Sequence, residues 1–169
     1  MERRYTVFRY FAYSLELLLL FIIQTTPRLL PEFFGSKPLL LLPAAITISF
    51  LESEIPAMFF GLAAGLLLDF GYSDNVGFFT ITLTLACFFI GLIFRDYLVI
   101  SFLNAVIFTA VFCTALMVLY FMFTYVFAGK PQVFYYFSHH YISRIIYTFV
   151  CGILLYFLNK FLYKNLRDN

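Results

Sequence analysis

The sequence predicts an all-α integral membrane protein with six transmembrane helices in a single domain. Hydrophobic residues make up 63% of the 169 residues and charged residues only 12%, whereas soluble domains carry a charge at roughly 25% of positions. The charges also cluster between long apolar runs instead of alternating with them. Such a chain lacks the polar residues to cover a globule, and its apolar runs have the length of membrane spans.

The first predicted span, about 7–26, follows the basic residues Arg3 and Arg4 and ends at Pro27. At about 1.5 Å per residue it is long enough to cross a hydrocarbon core of about 30 Å. No small-residue cleavage site follows it before Pro27, so we expect a retained span and no signal peptide. The remaining spans are predicted at about 38–51, 55–70, 76–94, 98–127 and 141–162.

The second and third spans are short, and the second contains Pro43. They are either kinked or tilted crossings or the two arms of a re-entrant hairpin. These alternatives differ in the depth of Glu52 and Glu54, the acidic residues between the spans. A re-entrant hairpin carries both carboxylates into the membrane, which costs several kcal/mol when they have no partners. We therefore favour two true crossings, with Glu52 and Glu54 at the cytoplasmic surface.

The orientation follows from the Lys and Arg residues, because cytoplasmic loops carry an excess of positive charge. With six spans, both termini lie on one side. The basic residues on that side are Arg3, Arg4, Arg9, Arg95, Lys160, Lys164 and Arg167. Those on the other side are Arg28, Lys37, Lys130 and, just inside the last span, Arg144. The bias predicts that both termini are cytoplasmic.

Several function classes find no support in the sequence. A net charge of +2 with no basic stripe does not indicate nucleic-acid binding. Cys87, Cys113 and Cys151 lie in separate apolar runs without C-x-x-C spacing, which gives no zinc or redox motif. His139 and His140 are adjacent. Because adjacent helical side chains point about 100° apart, we do not expect the two to bind one metal ion together. Motifs of the common enzyme classes are missing, so we expect no enzymatic activity, no cofactor and no metal.

Glu16 lies about midway along the first span, where a carboxylate needs a partner or a wet cavity. Arg9 is on the same helix face, and Arg144 is a possible partner from the last span. Three interpretations stay open for Glu16: a structural pair within the bundle, contact with a partner protein, or a role in transport or catalysis.

Gly61 and Gly65 form a G-x-x-x-G pair on the third span. Small residues of this kind promote helix association in lipid because they let two backbones approach closely. The facing helix belongs either to this chain or to another subunit. Asp69 ends the same span, near Asp74. It is predicted either to cap the loop or pair with an arginine, or to form with Asp74 a carboxylate site for a metal or substrate.

One stretch, under a third of the chain, carries a recognisable pattern. In order it reads Glu54-x-Pro56, Gly61-x-x-x-Gly65-Leu66-Leu67-Leu68-Asp69, Gly77-Phe78 and Gly91-Leu92. With the chain length, the six predicted spans and the cytoplasmic termini, this pattern resembles the rod-shape-determining protein MreD family. The specific motifs cover residues 52–92. Our candidates for partner binding or packing are Glu16, Glu52, Glu54, Pro56, Gly61, Gly65, Asp69 and Gly77.

The resemblance implies a multi-pass protein of the bacterial cytoplasmic membrane that acts as a non-catalytic scaffold in cell-wall elongation and cell-shape control. Such a scaffold binds the bitopic protein MreC. It works with the actin-like MreB and with RodA and a class B penicillin-binding protein, which build lateral peptidoglycan. The resemblance leaves open which face binds the partner and what the oligomeric state is.

The alternative function is a solute-binding subunit of an energy-coupling vitamin transporter, because the MreD family is similar in fold to those six-helix subunits. The sequence fits this alternative less well. Such a subunit needs a small-x-x-x-small face on its first span, and here Ala12 is followed by Glu16. Loop 71–75 is also short, which leaves few polar groups for an outward-facing pocket.

Overall fold

The computed structural model describes residues 2–26, 38–72, 77–96, 101–126 and 142–165, and the regular structure in these residues is entirely helical. The helices are α1 (Glu2–Thr25), α2 (Leu41–Ser49), α3 (Glu54–Tyr72), α4 (Phe78–Asp96), α5 (Phe102–Phe121), which continues into a π-helical turn (Met122–Val126), and α6 (Ile142–Asn165). Some residues discussed above lie outside the described residues, namely Asp74, the His139–His140 pair and the two ends of the fifth predicted span.

Five helices of the described residues, namely α1, α3, α4, α5 and α6, are long and apolar enough to cross a membrane. Their outward faces are mostly apolar. On α1, for example, Phe8, Leu15 and Ile22 are 68%, 49% and 56% exposed. Lipid is the solvent in which such a surface is stable. The structure confirms a helical chain with several helices able to span a membrane.

The second predicted span differs from the other five. Its helix α2 has only 9 residues and all of them are buried. At about 1.5 Å per residue α2 is about 14 Å long, less than half the hydrocarbon thickness. It contacts each of the other five helices, and a helix enclosed by protein does not have to match the bilayer. Pro43 lies in its first turn, where a missing N–H interrupts no helix hydrogen bond.

Contacts at both ends fix the direction of α2. At its start, the Leu41 N–H donates to Gln24 Oε1 of α1 at 3.3 Å. Just beyond its end, Glu52 pairs with Arg9 near the start of α1. Gln24 and Arg9 are about 22 Å apart along an α-helix, so α2 and its flanking residues run antiparallel to α1 over that distance. Glu52 therefore lies at the same end of the bundle as Arg9.

α2 is parallel to α6, as two further hydrogen bonds show. The Leu39 N–H donates to Thr148 Oγ1 at 3.1 Å, and Asn159 Nδ2 donates to Thr47 Oγ1 at 2.9 Å. The first of these bonds, like that of Gln24, satisfies a backbone N–H at or just before the start of α2. Since such groups find no partner within the helix itself, side chains of α1 and α6 stabilise this buried helix start.

Candidate functional site

The glycine pair of α3 packs against α4 of the same chain. A Cβ added at Gly65 would lie 2.6 Å from Thr80 Cα and 2.7 Å from the Phe79 carbonyl oxygen. One added at Gly61 would lie 2.8 Å from the carbonyl oxygen of Leu83. All three distances are shorter than real Cβ contacts allow, so the two backbones can approach this closely only because neither glycine has a side chain.

The same antiparallel contact continues to the start of α3. A Cβ added at Gly91 of α4 would lie 2.9 Å from Glu54 Cα and 3.1 Å from Ala57 Cβ. The Glu54 carboxylate forms an ion pair with Arg95 in the last turn of α4. Pro56 lies in the first turn of α3, where proline is tolerated. Small residues and an ion pair thus close this end of the α3–α4 hairpin.

Asp69 caps the other end of the hairpin. Its side chain is buried and accepts hydrogen bonds from the Phe79 N–H at 3.0 Å, the Thr80 N–H at 2.9 Å and the Thr80 hydroxyl at 2.5 Å. The two N–H groups belong to the first turn of α4, where no helix carbonyl is available to them. A negative charge is also favourable at a helix N-terminus. Asp69 therefore acts as an N-cap supplied by the preceding helix.

Gly77 makes the turn into α4. Its φ angle is +93°, in the region that residues with a side chain rarely adopt. The suggested pairing of Asp69 with Asp74 lies outside the described residues. Apart from that, the pattern residues serve one structural unit, the α3–α4 hairpin. They are Glu54, Pro56, Gly61, Gly65, Asp69, Gly77 and Gly91.

Arg9 joins three parts of the chain at one end of the bundle. Its Nε lies 2.5 Å from Glu52 Oε1, and its Nη2 donates to Glu52 Oε2 at 3.0 Å. The guanidinium also lies over the ring of Tyr163 in α6, 4.9 Å from the ring centroid. Burial raises the pKa of the Glu52 carboxyl, and the neighbouring guanidinium lowers it part of the way back.

We expect Arg9→Gln to destabilise the protein by about 1–2 kcal/mol, between the values for exposed and buried pairs, because Glu52 is left without its cation. Thermal unfolding in mild detergent measures the loss. The double variant Arg9→Gln/Glu52→Gln removes both charges. Its loss of stability is therefore expected to be smaller than the losses of Arg9→Gln and Glu52→Gln added together. A double variant whose loss equals that sum would show that the two side chains do not interact.

Glu16 points into the bundle and is only 9% exposed. Neither arginine considered from the sequence lies beside it. Arg9 is engaged with Glu52. Arg144 is in the first turn of α6, about 22 Å along that helix from Asn159, and Asn159 is the polar neighbour of the Glu16 carboxyl.

Glu16 neighbours Asn159 and Tyr13. We call these three residues, together with Thr47, which bonds Asn159, and Tyr156, one turn before Asn159 on α6, the interior polar cluster. Within the described residues, both Glu16 carboxyl oxygens, Asn159 Oδ1 and the hydroxyls of Tyr13 and Tyr156 are buried and accept or donate no hydrogen bond. Asn159 and Thr47, which hydrogen-bond each other, are fully buried. Buried polar groups normally have partners, so this cluster is an unusual environment for the interior of a membrane protein.

Gln24, Thr148 and Asn159 are not among the residues that the sequence predicted to be important. A signal for the last two exists, because Thr148, Gly152 and Asn159 recur at helical spacing on one face of a very apolar segment. This face packs on α2: a Cβ added at Gly152 would lie 3.0 Å from Pro43 Cβ.

A groove of about 470 Å³ lies between α1 and α3 on the outside of the bundle. Its lining is apolar apart from one serine and includes Ser14, Leu18, Phe59, Ala63 and Phe70. Three of these side chains, those of Leu18, Phe59 and Phe70, are 50% exposed or more. Among the described residues, no group of three or more His, Cys, Asp or Glu side chains is arranged to hold a metal ion.

Comparison with protein-family models, with curated proteins and with solved structures finds no match to this chain.

Proposed function

We propose that the protein is a non-catalytic membrane scaffold of the bacterial cell-wall elongation machinery, with a role like that of the MreD family. The observation that supports this most is the position of the residues of the 52–92 pattern in the structure. Its glycines, its proline and the acids Glu54 and Asp69 are distributed over two helices and the turn between them, yet they hold a single hairpin together at both ends and along its middle. A pattern whose parts serve one unit is more specific than an isolated G-x-x-x-G pair.

The proposal includes six crossings with both termini in the cytoplasm. Besides the five long helices, α2 and its flanking residues connect the Gln24 end of the bundle to the Arg9 end. In this arrangement α2 passes through the protein interior instead of through lipid. Arg9, Arg95 and Lys164 share one end of the bundle, and the positive-inside rule favours the cytoplasm for that end.

The proposed partner is an MreC-like bitopic protein, and MreB-like, RodA-like and class B penicillin-binding proteins follow from the same resemblance. The glycine face and Asp69 are covered by α4. The partner's transmembrane helix therefore meets the outer, apolar surface of the bundle. This surface includes the groove between α1 and α3.

Purification of the tagged chain from its native membrane in mild detergent tests this function. We expect a single-span partner to co-purify. Recovery of a bound vitamin and ATPase subunits in its place would contradict the scaffold. A photo-crosslinking residue at Ala63 in the groove, compared with one at the exposed Ala115 of α5, then identifies the contact face.

One observation favours the alternative, a solute-binding transport subunit. The interior polar cluster offers unpartnered carboxyl, amide and hydroxyl groups, as a polar ligand requires. However, Asn159 is one turn from Tyr163, which contacts Arg9, so the cluster reaches from the middle of the bundle toward the end assigned to the cytoplasm and not toward the outside. A transporter pocket is expected to draw its polar groups from outward-facing loops. The scaffold is therefore the better-supported proposal.

A further inference from the structure

We propose that Lys160 and Lys164 of α6 bind the phosphate of an anionic phospholipid, whose acyl chains lie on the exposed apolar face of the same helix. The inference concerns the end of the bundle at which α5 begins and α6 ends. It goes beyond the proposed cell-wall role and does not depend on it.

α6 ends where α5 begins, because the two helices are antiparallel. The ring of Phe102, the first residue of α5, lies 5.9 Å from the Tyr156 ring and 5.3 Å from the Phe157 ring of α6. Earlier on α6 and later on α5, a Cβ added at Gly152 would lie 3.2 Å from Thr109 Cγ2. The last two turns of α6 therefore extend past the start of α5.

These two turns place Lys160 and Lys164 at the edge of the hydrocarbon layer. The segment of α5 that is long and apolar enough to cross a membrane begins at Phe102, so the membrane boundary lies near this residue. The two lysines are about 6 and 12 Å beyond Tyr156 along the helix axis. Both side chains are exposed, and a long lysine side chain extends its ammonium group toward the lipid headgroups.

The positive charge at this position has no counter-charge in the described part of the chain. The Lys160 ammonium lies over the Tyr156 ring, 5.6 Å from its centroid, and this ring also faces the start of α5. Among the described residues no ion pair involves Lys160 or Lys164, since Glu52 and Glu54 are paired with arginines. The first turn of α5 contains no acidic residue. An anionic ligand supplies the missing counter-charge.

Toward the bilayer interior the same face of α6 is apolar. Val150, Phe157 and Lys164 recur at seven-residue intervals, which places them on one side of an α-helix. Val150 and Phe157 are 51% and 55% exposed. Two cations above an apolar strip fit a phospholipid better than free phosphate, because the strip contacts the acyl chains. The charge favours an anionic headgroup over a zwitterionic one, whose own cation competes with the lysines.

Thermal unfolding and native mass spectrometry of the purified full-length protein in mild non-ionic detergent test the proposal. The probes are phosphatidylglycerol and phosphatidylcholine with the same acyl chains. We expect phosphatidylglycerol to raise the unfolding temperature and to stay bound in the mass spectrometer, whereas phosphatidylcholine does neither. The double variant Lys160→Gln/Lys164→Gln should bind phosphatidylglycerol about 30-fold more weakly, which corresponds to about 1 kcal/mol for each lysine at an anionic lipid surface.

Arg95→Gln is the matched control, because Arg95 is an exposed cation at the same end of the bundle that is already paired with Glu54. This variant should keep the preference for phosphatidylglycerol, and an equal loss in Arg95→Gln overturns the assigned site. Wild-type affinity of the lysine double variant for phosphatidylglycerol also overturns it, as does equally tight binding of phosphatidylcholine. In phosphatidylcholine the double variant should unfold at the wild-type temperature, since both lysines are exposed.

Inorganic phosphate distinguishes the two sources of the anion. It should leave the unfolding temperature unchanged at concentrations where phosphatidylglycerol raises it, because it makes no contact with the apolar strip. If inorganic phosphate stabilises the protein as strongly and Lys160→Gln/Lys164→Gln removes that effect, the lysines bind a free anion and the lipid assignment is wrong.

Discussion

Gly65→Leu is expected to destabilise the protein by about 3 kcal/mol, the upper end of the usual cost of overpacking. The reason is that all the nearest obstacles belong to the α4 backbone: Thr80 Cα at 2.6 Å, the Phe79 carbonyl oxygen at 2.7 Å and the Phe79 carbonyl carbon at 2.9 Å from an added Cβ. A flexible side chain could move aside, but a helix backbone cannot. Leucine therefore forces α3 and α4 apart, which thermal unfolding in mild detergent detects as a lower transition temperature.

A matched control is Ala115→Leu, which adds a side chain of similar size on an exposed position of α5. This variant should unfold at the wild-type temperature, because lipid or detergent accommodates the larger residue. Gly61→Leu is expected to behave like Gly65→Leu, since its added Cβ would meet the Leu83 carbonyl oxygen at 2.8 Å. Equal stability of Gly65→Leu and Ala115→Leu would show that the close contact of α3 and α4 is not needed.

The lipid-facing helices could be predicted from sequence with small errors at their ends. The third and fourth spans, predicted at 55–70 and 76–94, are helices Glu54–Tyr72 and Phe78–Asp96. Their bounds follow from composition because lipid requires an apolar surface, and charged or glycine-containing segments interrupt it. The same reasoning does not detect a helix that is buried inside the protein. Hydropathy is equally high for the enclosed α2 and for a lipid-facing helix, so only length distinguished this segment.

Side-chain partners were harder to predict than helices. The acidic residues between the second and third spans could be placed at one end of the bundle by counting charges, but their partners depend on how the helices pack. Arg9 is two turns from Glu16 on the same helix face, yet it pairs with Glu52 from the α2–α3 connection. Asn159, the neighbour of Glu16, is far away in sequence. Single-sequence periodicity gives the face of a helix and does not identify the helix opposite.

Asp69→Ala is the second variant with a large expected effect, a loss of about 3 kcal/mol, because two buried or half-buried N–H groups of α4 lose a charged acceptor. The bonds concerned are those to the Phe79 N–H at 3.0 Å and the Thr80 N–H at 2.9 Å. Asp69→Asn keeps one acceptor oxygen and is expected to lose less. Thr82→Val is the control, since the Thr82 hydroxyl bonds only the Phe78 carbonyl of its own helix. A loss as large in Thr82→Val as in Asp69→Ala would contradict the capping role.

Combining Asp69→Ala with Gly65→Leu tests whether the cap and the glycine contact act as one unit. Both residues fix the first turn of α4 against α3: Gly65 by close approach to Phe79 and Thr80, and Asp69 by hydrogen bonds to the same two residues. Once leucine at position 65 has moved this turn away, the carboxylate can no longer reach it. The double variant should therefore lose less stability than the two single losses added together. Full additivity would mean that each device holds the hairpin independently of the other.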